Sequence, residues 1–220
     1  LFPYTTLFRS NRLAVVGLVI IVLFIVTILT TLAVDQITNY SFYNEYILKQ
    51  DLSLRLAKPS LAHPFGCDEF GRDLLLRILW GTKLSFAIGV VAIALSVIMG
   101  APFGMIAAFY GGKTDNAIMR VMDVLLAVPY MLLAMAIVAA LGTSTFNLLL
   151  ALAVSGIAKY ARIARAAVLT VKDSEFVEAA RAVGASDGTI LFQYILPNAL
   201  APILVQVSLG IGDSILAVAG

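Results

Sequence analysis

The sequence predicts an all-α protein, a polytopic transmembrane helical bundle of about five spans. Three observations predict it. Residues of the AVILMFWYC set make up 61% of the 220 positions and charged residues only 13%, against the half and quarter usual in water-soluble domains. The mean hydropathy of the chain is +0.98, so its apolar surface exceeds what a core of this size can hide. The apolar residues also fall into uncharged runs long enough to cross a hydrocarbon layer of about 30 Å, which takes about 20 residues. The formal net charge of +2 is too small to indicate nucleic acid.

The runs come in order. Residues 1–10 (LFPYTTLFRS) lack the basic start and small-residue cleavage site of a signal peptide and are expected to be foreign or uninformative. The first span, 13–34, carries no charge and follows Arg9 and Arg12. A polar segment, 35–83, separates it from a second uncharged span at 84–110. A third is expected over 121–141, a fourth over 146–166 and a fifth over 199–220. The stretch 84–220 reads as one transmembrane domain, truncated at its C-terminus.

Basic residues in short flanks set the orientation. With the N-terminus inside, the inner flanks hold Arg9, Arg12, Lys113, Arg120, Lys159, Arg162, Arg165, Lys172 and Arg181. The turn near 142–147 is then outside and uncharged, and 35–83 lies outside with six basic and six acidic residues. A cytoplasmic N-terminus is therefore expected.

Several residues interrupt the spans. Gly100 and Gly104 form a small-xxx-small pair suited to close helix packing, with Pro102 a kink between them and Pro129 another in the third span. Lys159, Arg162 and Arg165 share one face of the fourth span and are expected to snorkel to the headgroups. Asp123 stands one turn after Arg120, which suggests a local ion pair. Asp213 lies deep in the fifth span, where an ionisable group is a functional candidate, and the sequence names no partner for it.

Chemistry of other kinds has little to work with. One cysteine, Cys67, allows no internal disulfide, and one histidine, His63, allows no His-pair metal site. His63 with Asp68, Glu69 and Asp73 reads as caps and ion pairs of an ordered segment rather than a metal site. Gly112-Lys113-Thr114 ends like a phosphate-binding loop, but Ala107 stands where its first glycine belongs. No catalytic constellation, cofactor site or metal site is expected.

The loop 172–197 (KDSEFVEAARAVGASDGTILFQYILP) is the most informative stretch. Asp173 or Ser174 is placed to cap a helix through Val183, which Gly184 ends in a left-handed turn. Ser186 or Asp187 would cap a second segment, 189–196, ending before Pro197, which would open the next span. The first helix is apolar at Phe176, Val177, Ala180 and Val183 and charged at Glu175, Glu178 and Arg181. It would suit either the lipid interface or the grip of a soluble partner, with Ala179, Ala180 and Ala182 allowing close approach.

Glu178-Ala179-Ala180, Gly184 and Leu196-Pro197 resemble the E-A-A-x-x-x-G…L-P loop of permease subunits of bacterial ABC importers, with Tyr194 and Ile195 departing slightly from its pattern. His63-Pro64-Phe65-Gly66-Cys67-Asp68-Glu69-Phe70-Gly71-Arg72-Asp73 resembles the H-P-x-G-T-D-x-x-G-R-D segment of the C-type subunit of dipeptide, oligopeptide and nickel systems, with Cys67 in place of threonine. The resemblance spans about 11–220, and the family has a sixth span that is missing here. It implies a multi-pass protein of the bacterial inner membrane that hydrolyses no ATP itself. It also implies a second permease subunit, ATP-binding cassette ATPase subunits and an extracellular substrate-binding protein as partners. Glu178, Ala179, Ala180, Arg181, Gly184, Leu196 and Pro197 would form the ATPase-coupling loop. Of the alternatives, a secondary transporter would need more ionisable residues inside the spans than Asp213, and a membrane enzyme, as against a structural scaffold, would show paired acid, base or metal ligands near one membrane face, which the sequence does not offer.

Overall fold

The computed structural model describes residues 12–219 as helices joined by short connections. The expectation for residues 1–10 lies outside the described residues. Helix α1 is Arg12–Ile37. A π-helical turn Tyr43–Leu48 and a 3-10 turn Leu52–Leu54 lead to α2, Leu74–Tyr110. Then come α3, Gly112–Leu126, α4, Tyr130–Leu141, and α5, Thr145–Leu169. The short α6, Glu175–Ala182, precedes a single turn Asp187–Thr189, π-helical turns Ile190–Ile195 and α7, Leu196–Ala219. Among the described residues four helices are long and apolar enough to cross a membrane, or five where the bent pair α3–α4, Gly112–Leu126 and Tyr130–Leu141, counts as one span. Helices suit that solvent because every backbone donor and acceptor is satisfied within the segment.

Two expected spans change shape. The second begins at Leu74 rather than at residue 84, because Asp73 accepts from the Leu76 amide and caps the helix early. The third is not one rod. It divides into α3 and α4, bent by 79°, with Pro129 at the N-cap of α4. Proline disfavours helical geometry in the residue before it, and the ladder breaks there.

The chain forms two compact units, Leu1–Ser85 and Phe86–Gly220. In the first, Asp35 is 1% exposed at the end of α1. The Trp80 indole donates to it at 2.8 Å and Lys83 pairs with it. A lone carboxylate at this depth would cost several kcal/mol, so both partners are required to hold it there. Phe42 stacks between Tyr46 and Trp80 at centroid distances of 4.7 and 5.2 Å.

The segment before α2 is tightly tied. Asp68 accepts from the Phe70 and Arg72 amides and pairs with the Arg72 and Arg77 guanidinium groups. Burial alone pushes its carboxyl up, yet these donors hold it down at about 2. His63 Nδ1 lies 2.8 Å from Asp73 Oδ2. Gly71 adopts φ +73, and a side chain there would strike the Asp51 carbonyl at 1.7 Å. Cys67 is buried and free.

In the second unit α5 is the central helix, buried along most of its length from Ala151 to Val168. It touches α2 backbone to backbone at Gly100 and Gly104. A Cβ on Gly104 would stand 1.9 Å from the Ala161 carbonyl oxygen, and one on Gly100 2.4 Å from that of Ile157. Glycine is obligatory at such a crossing. The Ser96 hydroxyl, fully buried, crosses the same seam to the Ala153 carbonyl at 2.9 Å. Met122 packs α3 against Ile157, Ala158 and Ala161.

Candidate functional site

The loop 172–197 folds on the unit's own core. Val177 and Ala180 of α6 are 0% and 4% exposed and pack with Ala167, Val168, Ile190, Leu191 and Ile195. The smallness of Ala180 therefore serves packing within the chain. Glu175, Glu178, Ala179 and Ala182 are exposed on the opposite side, and Phe176 and Arg181 are exposed on its flanks. Arg181 lies over the Phe109 ring at 5.7 Å, which fixes α6 against the end of α2, and Lys172 donates to the Ala108 carbonyl at 3.2 Å.

Punctuation in the loop follows the sequence in part. Gly184 takes φ +81 with open space around it, and its amide donates to the Arg181 carbonyl. Ser174 occupies the N-cap of α6 without bonding its amides; its hydroxyl donates back to the Val171 carbonyl instead. Ser186 does cap the next turn, accepting from the Thr189 amide at 3.3 Å. The expected stop before Pro197 is absent. Helical turns run on from Asp187 into α7, loosening to π register over Ile190–Ile195. Pro197 has no amide hydrogen for the Gln193 carbonyl, which accounts for wider turns where the ladder would otherwise fail. Leu196 and Pro197 are thus inside a continuous helical rod.

The basic face of α5 differs from the sequence expectation. Lys159, Arg162 and Arg165 do not simply reach for headgroups; each meets a carboxylate of another helix. Arg165 binds Asp115 of α3 through two bonds of 2.6 Å, Arg162 pairs with Asp123 of α3, and Lys159 pairs with Asp213 of α7 at 3.3 Å. Asp123 consequently pairs between helices rather than with Arg120, because α5 presents Arg162 to it. A charge leaving water costs less when paired, and the two-pronged guanidinium–carboxylate contact is the strongest form. The two-bond Arg165–Asp115 contact ties α3 to α5, while the more exposed Lys159–Asp213 pair only orients α7 towards α5. The signal for these pairs was the three-residue spacing on α5; the acidic partners lie 39 to 54 residues away in sequence.

Beside the Lys159–Asp213 pair lies a cavity of about 740 Å³, whose lining includes Tyr130, Tyr160 and Ser214. Among the described residues no three His, Cys, Asp or Glu side chains gather as a metal site would need.

Long apolar helices with glycine-mediated crossings, charges paired between helices and one amphipathic loop helix define a polytopic membrane protein. Residues 100–220 match the family described as binding-protein-dependent transport system inner membrane component. Residues 6–59 match the N-terminal TM domain of oligopeptide transport permease C. The chain is 42% identical over 208 residues to the dipeptide transport system permease protein DppC of Alkalihalophilus pseudofirmus, covering 94% of this chain and 66% of that one. It is 38% identical over 208 residues to the oligopeptide transport system permease protein OppC of Bacillus subtilis, with the same coverages of 94% and 66%. To the probable D,D-dipeptide transport system permease protein DdpC of Escherichia coli it is 45% identical over 166 residues, 76% of this chain and 56% of the relative. A solved chain described as a crystal structure of an amino acid ABC transporter with histidines superposes with TM-score 0.48 at 20% identity, over 62% of this chain and 68% of that one. The chain belongs to the family of binding-protein-dependent transport system inner membrane components. It spans 56% to 66% of the length of these three curated relatives.

Proposed function

We propose that the chain is a permease subunit of an ATP-driven importer of peptides, in the inner membrane with its N-terminus in the cytoplasm. The relatives' names, dipeptide, D,D-dipeptide and oligopeptide transport permeases, support the substrate class. The observation that carries the coupling role is the geometry of α6. One side is locked into the core through Val177 and Ala180 while Glu178 and Ala179 face outward, with Arg181 exposed at their edge.

On this reading an ATPase subunit holds the outward side of α6 in a groove, with Glu178 and Arg181 as polar anchors. Closure of two such ATPases on ATP displaces α6. Because Val177 and Ala180 pack on Ile190, Leu191 and Ile195, and those residues run without a break into α7, the displacement tilts α7. Packing of α7 on α5 passes the tilt on, and the Arg165–Asp115 contact carries it from α5 to α3. A second permease completes the path, and an extracellular binding protein delivers substrate.

The test is dipeptide uptake into proteoliposomes holding the full-length chain with its partner subunits. Uptake is expected to require ATP and to fall at least tenfold when Glu178 is replaced by lysine or Gly184 by valine. Normal transport by both variants would refute the coupling role. Uptake driven by a proton gradient without ATP would refute the importer class.

A further inference from the structure

The first unit has a cavity of its own, of about 380 Å³, between residues 40–48 and the start of α2. Three cations line it, Arg72, Arg77 and Lys83, and among the described residues no carboxylate does. Their counter-charges are buried more deeply. Asp68, its side chain 11% exposed, serves both guanidinium groups, and Asp35 serves Lys83. Two carboxylates thus meet three cations, and one positive charge is left over. Glu45 and Lys49, close by in sequence, are exposed, lie outside the lining and offset one another. The surplus falls on Arg77, whose side chain is 41% exposed against 17% for Arg72. Of the five N–H donors that a guanidinium carries, Arg77 spends one on Asp68. Paired guanidinium donors fit the oxygens of a phosphate.

The depth of this cavity in a membrane follows from the two helices beside it. Helix α1 has 26 residues, about 39 Å at 1.5 Å each, which exceeds a hydrocarbon layer of about 30 Å. Its last turn, with Asp35, therefore reaches the headgroups. On α2, Lys83 is the last charge before the uncharged run 84–110, so the hydrocarbon begins just beyond it. Tyr40, Tyr43 and Trp80 line the same cavity, and Lys83 Nζ lies 5.6 Å from the centroid of the Tyr43 ring. Tyrosine and tryptophan collect at this level because their rings are apolar and their edges polar. Leu48 and Leu84, 46% and 57% exposed, continue the wall. A cationic pocket, an aromatic rim and exposed leucines at one depth correspond to the phosphate, glycerol and acyl parts of a lipid.

We propose that this cavity is a lipid site that holds the phosphate of an anionic phospholipid headgroup. The phosphate accepts from the unspent donors of Arg77 and balances the surplus charge, and the acyl chains leave along Leu48 and Leu84 into the bilayer. A headgroup that also carries an ammonium fits less well, because the lining offers that cation no carboxylate. The bound lipid would bridge residues 40–48 to α2 at the membrane surface, alongside the Asp35 contacts with Trp80 and Lys83. The site stands on the membrane-spanning fold and is independent of the coupling role of α6.

The test is native mass spectrometry of the full-length chain in its transporter complex, in mild detergent, with phosphatidylglycerol or phosphatidylcholine added. The first phosphatidylglycerol is expected to bind about tenfold more tightly than the first phosphatidylcholine. Arg77→Gln removes the surplus charge and leaves Asp68 paired with Arg72, so the preference should fall to about twofold or less. Arg77→Lys keeps the charge and should keep the preference. Lys58→Gln removes the same charge from the same polar segment but outside the cavity lining, and should change nothing. Glycerol 3-phosphate, which offers the phosphate without acyl chains, should not displace the bound lipid. Equal binding of the two lipids, a preference that survives Arg77→Gln, or its loss in Lys58→Gln would each overturn the site. Displacement by glycerol 3-phosphate would overturn the lipid in favour of a free anion. The lipid comparison and the displacement use the native chain, so they decide the proposal even where a variant fails to fold.

Discussion

Replacing Gly104 by alanine adds one methyl group where α2 and α5 touch backbone to backbone. The new Cβ would lie 1.9 Å from the Ala161 carbonyl oxygen, 2.8 Å from the Ala161 carbonyl carbon and 2.9 Å from the Arg165 amide nitrogen. Ordinary contact begins at 3.4 Å, so the two helices must part by about 1.5 Å. No rotamer relieves this, since every obstructing atom is main chain. Overpacking of a well-packed interface costs about 1–3 kcal/mol, and a backbone collision falls at the upper end. Parting the helices also stretches the 2.9 Å bond from Ser96 to Ala153 and shifts Arg165 from Asp115. With about 2–4 °C lost per kcal/mol in a protein of this size, the unfolding midpoint should fall by about 6–12 °C. The assay is thermal unfolding of the full-length protein in mild detergent, followed by the helical circular dichroism signal. Gly81→Ala is the control, because nothing lies within 4 Å of a Cβ there, and it should leave the midpoint unchanged or raise it. A Gly104→Ala midpoint equal to that of the native protein would refute the glycine-mediated crossing.

Two further outcomes follow from the charges. Asp68 is held at about 2 against an ordinary 3.8, so its depressed value contributes stability that is complete above about 4 and lost as pH falls through about 2. The loss approaches about 2 kcal/mol, and hydrogen exchange in residues 51–73 should accelerate over that window, but not in Asp68→Asn. Removing either member of the Arg165–Asp115 pair should cost about 1–3 kcal/mol, and removing both less than the sum; additive losses in a double-mutant cycle on thermal unfolding would show the pair to be uncoupled.

The presence and order of the spans were legible because uncharged runs of 20 or more residues leave few alternatives, but not the early start of the second at Leu74 or the break of the third at Pro129. So was the close packing at Gly100 and Gly104, whose four-residue spacing puts both on one helix face. The left-handed stop at Gly184 was legible because few other residues adopt that conformation. What escaped depends on how helices rotate against one another. Nothing in the composition of α7 says that Asp213 faces Lys159, and Arg120 is nearer to Asp123 in sequence than Arg162 is. Asp35 read as the first residue of a polar segment, whereas Trp80 and Lys83 bury it. Pro197 read as a helix start because its missing amide suits that position, and the π register that lets a helix run through it has no compositional signature. In the loop 172–197 the sequence pattern marked the stretch, but only the packing of Val177 and Ala180 separates its core-facing side from its outward side.

The central claim is that the outward side of α6 is where an ATPase subunit holds this chain. The most direct measurement is a pull-down of the full-length chain, in mild detergent, against the products of its neighbouring genes, with and without Glu178→Lys. The account predicts recovery of an ATPase subunit with the native chain and its loss with the variant, while helical content and unfolding midpoint stay the same. Equal recovery by both forms, or no ATPase with either, would contradict it.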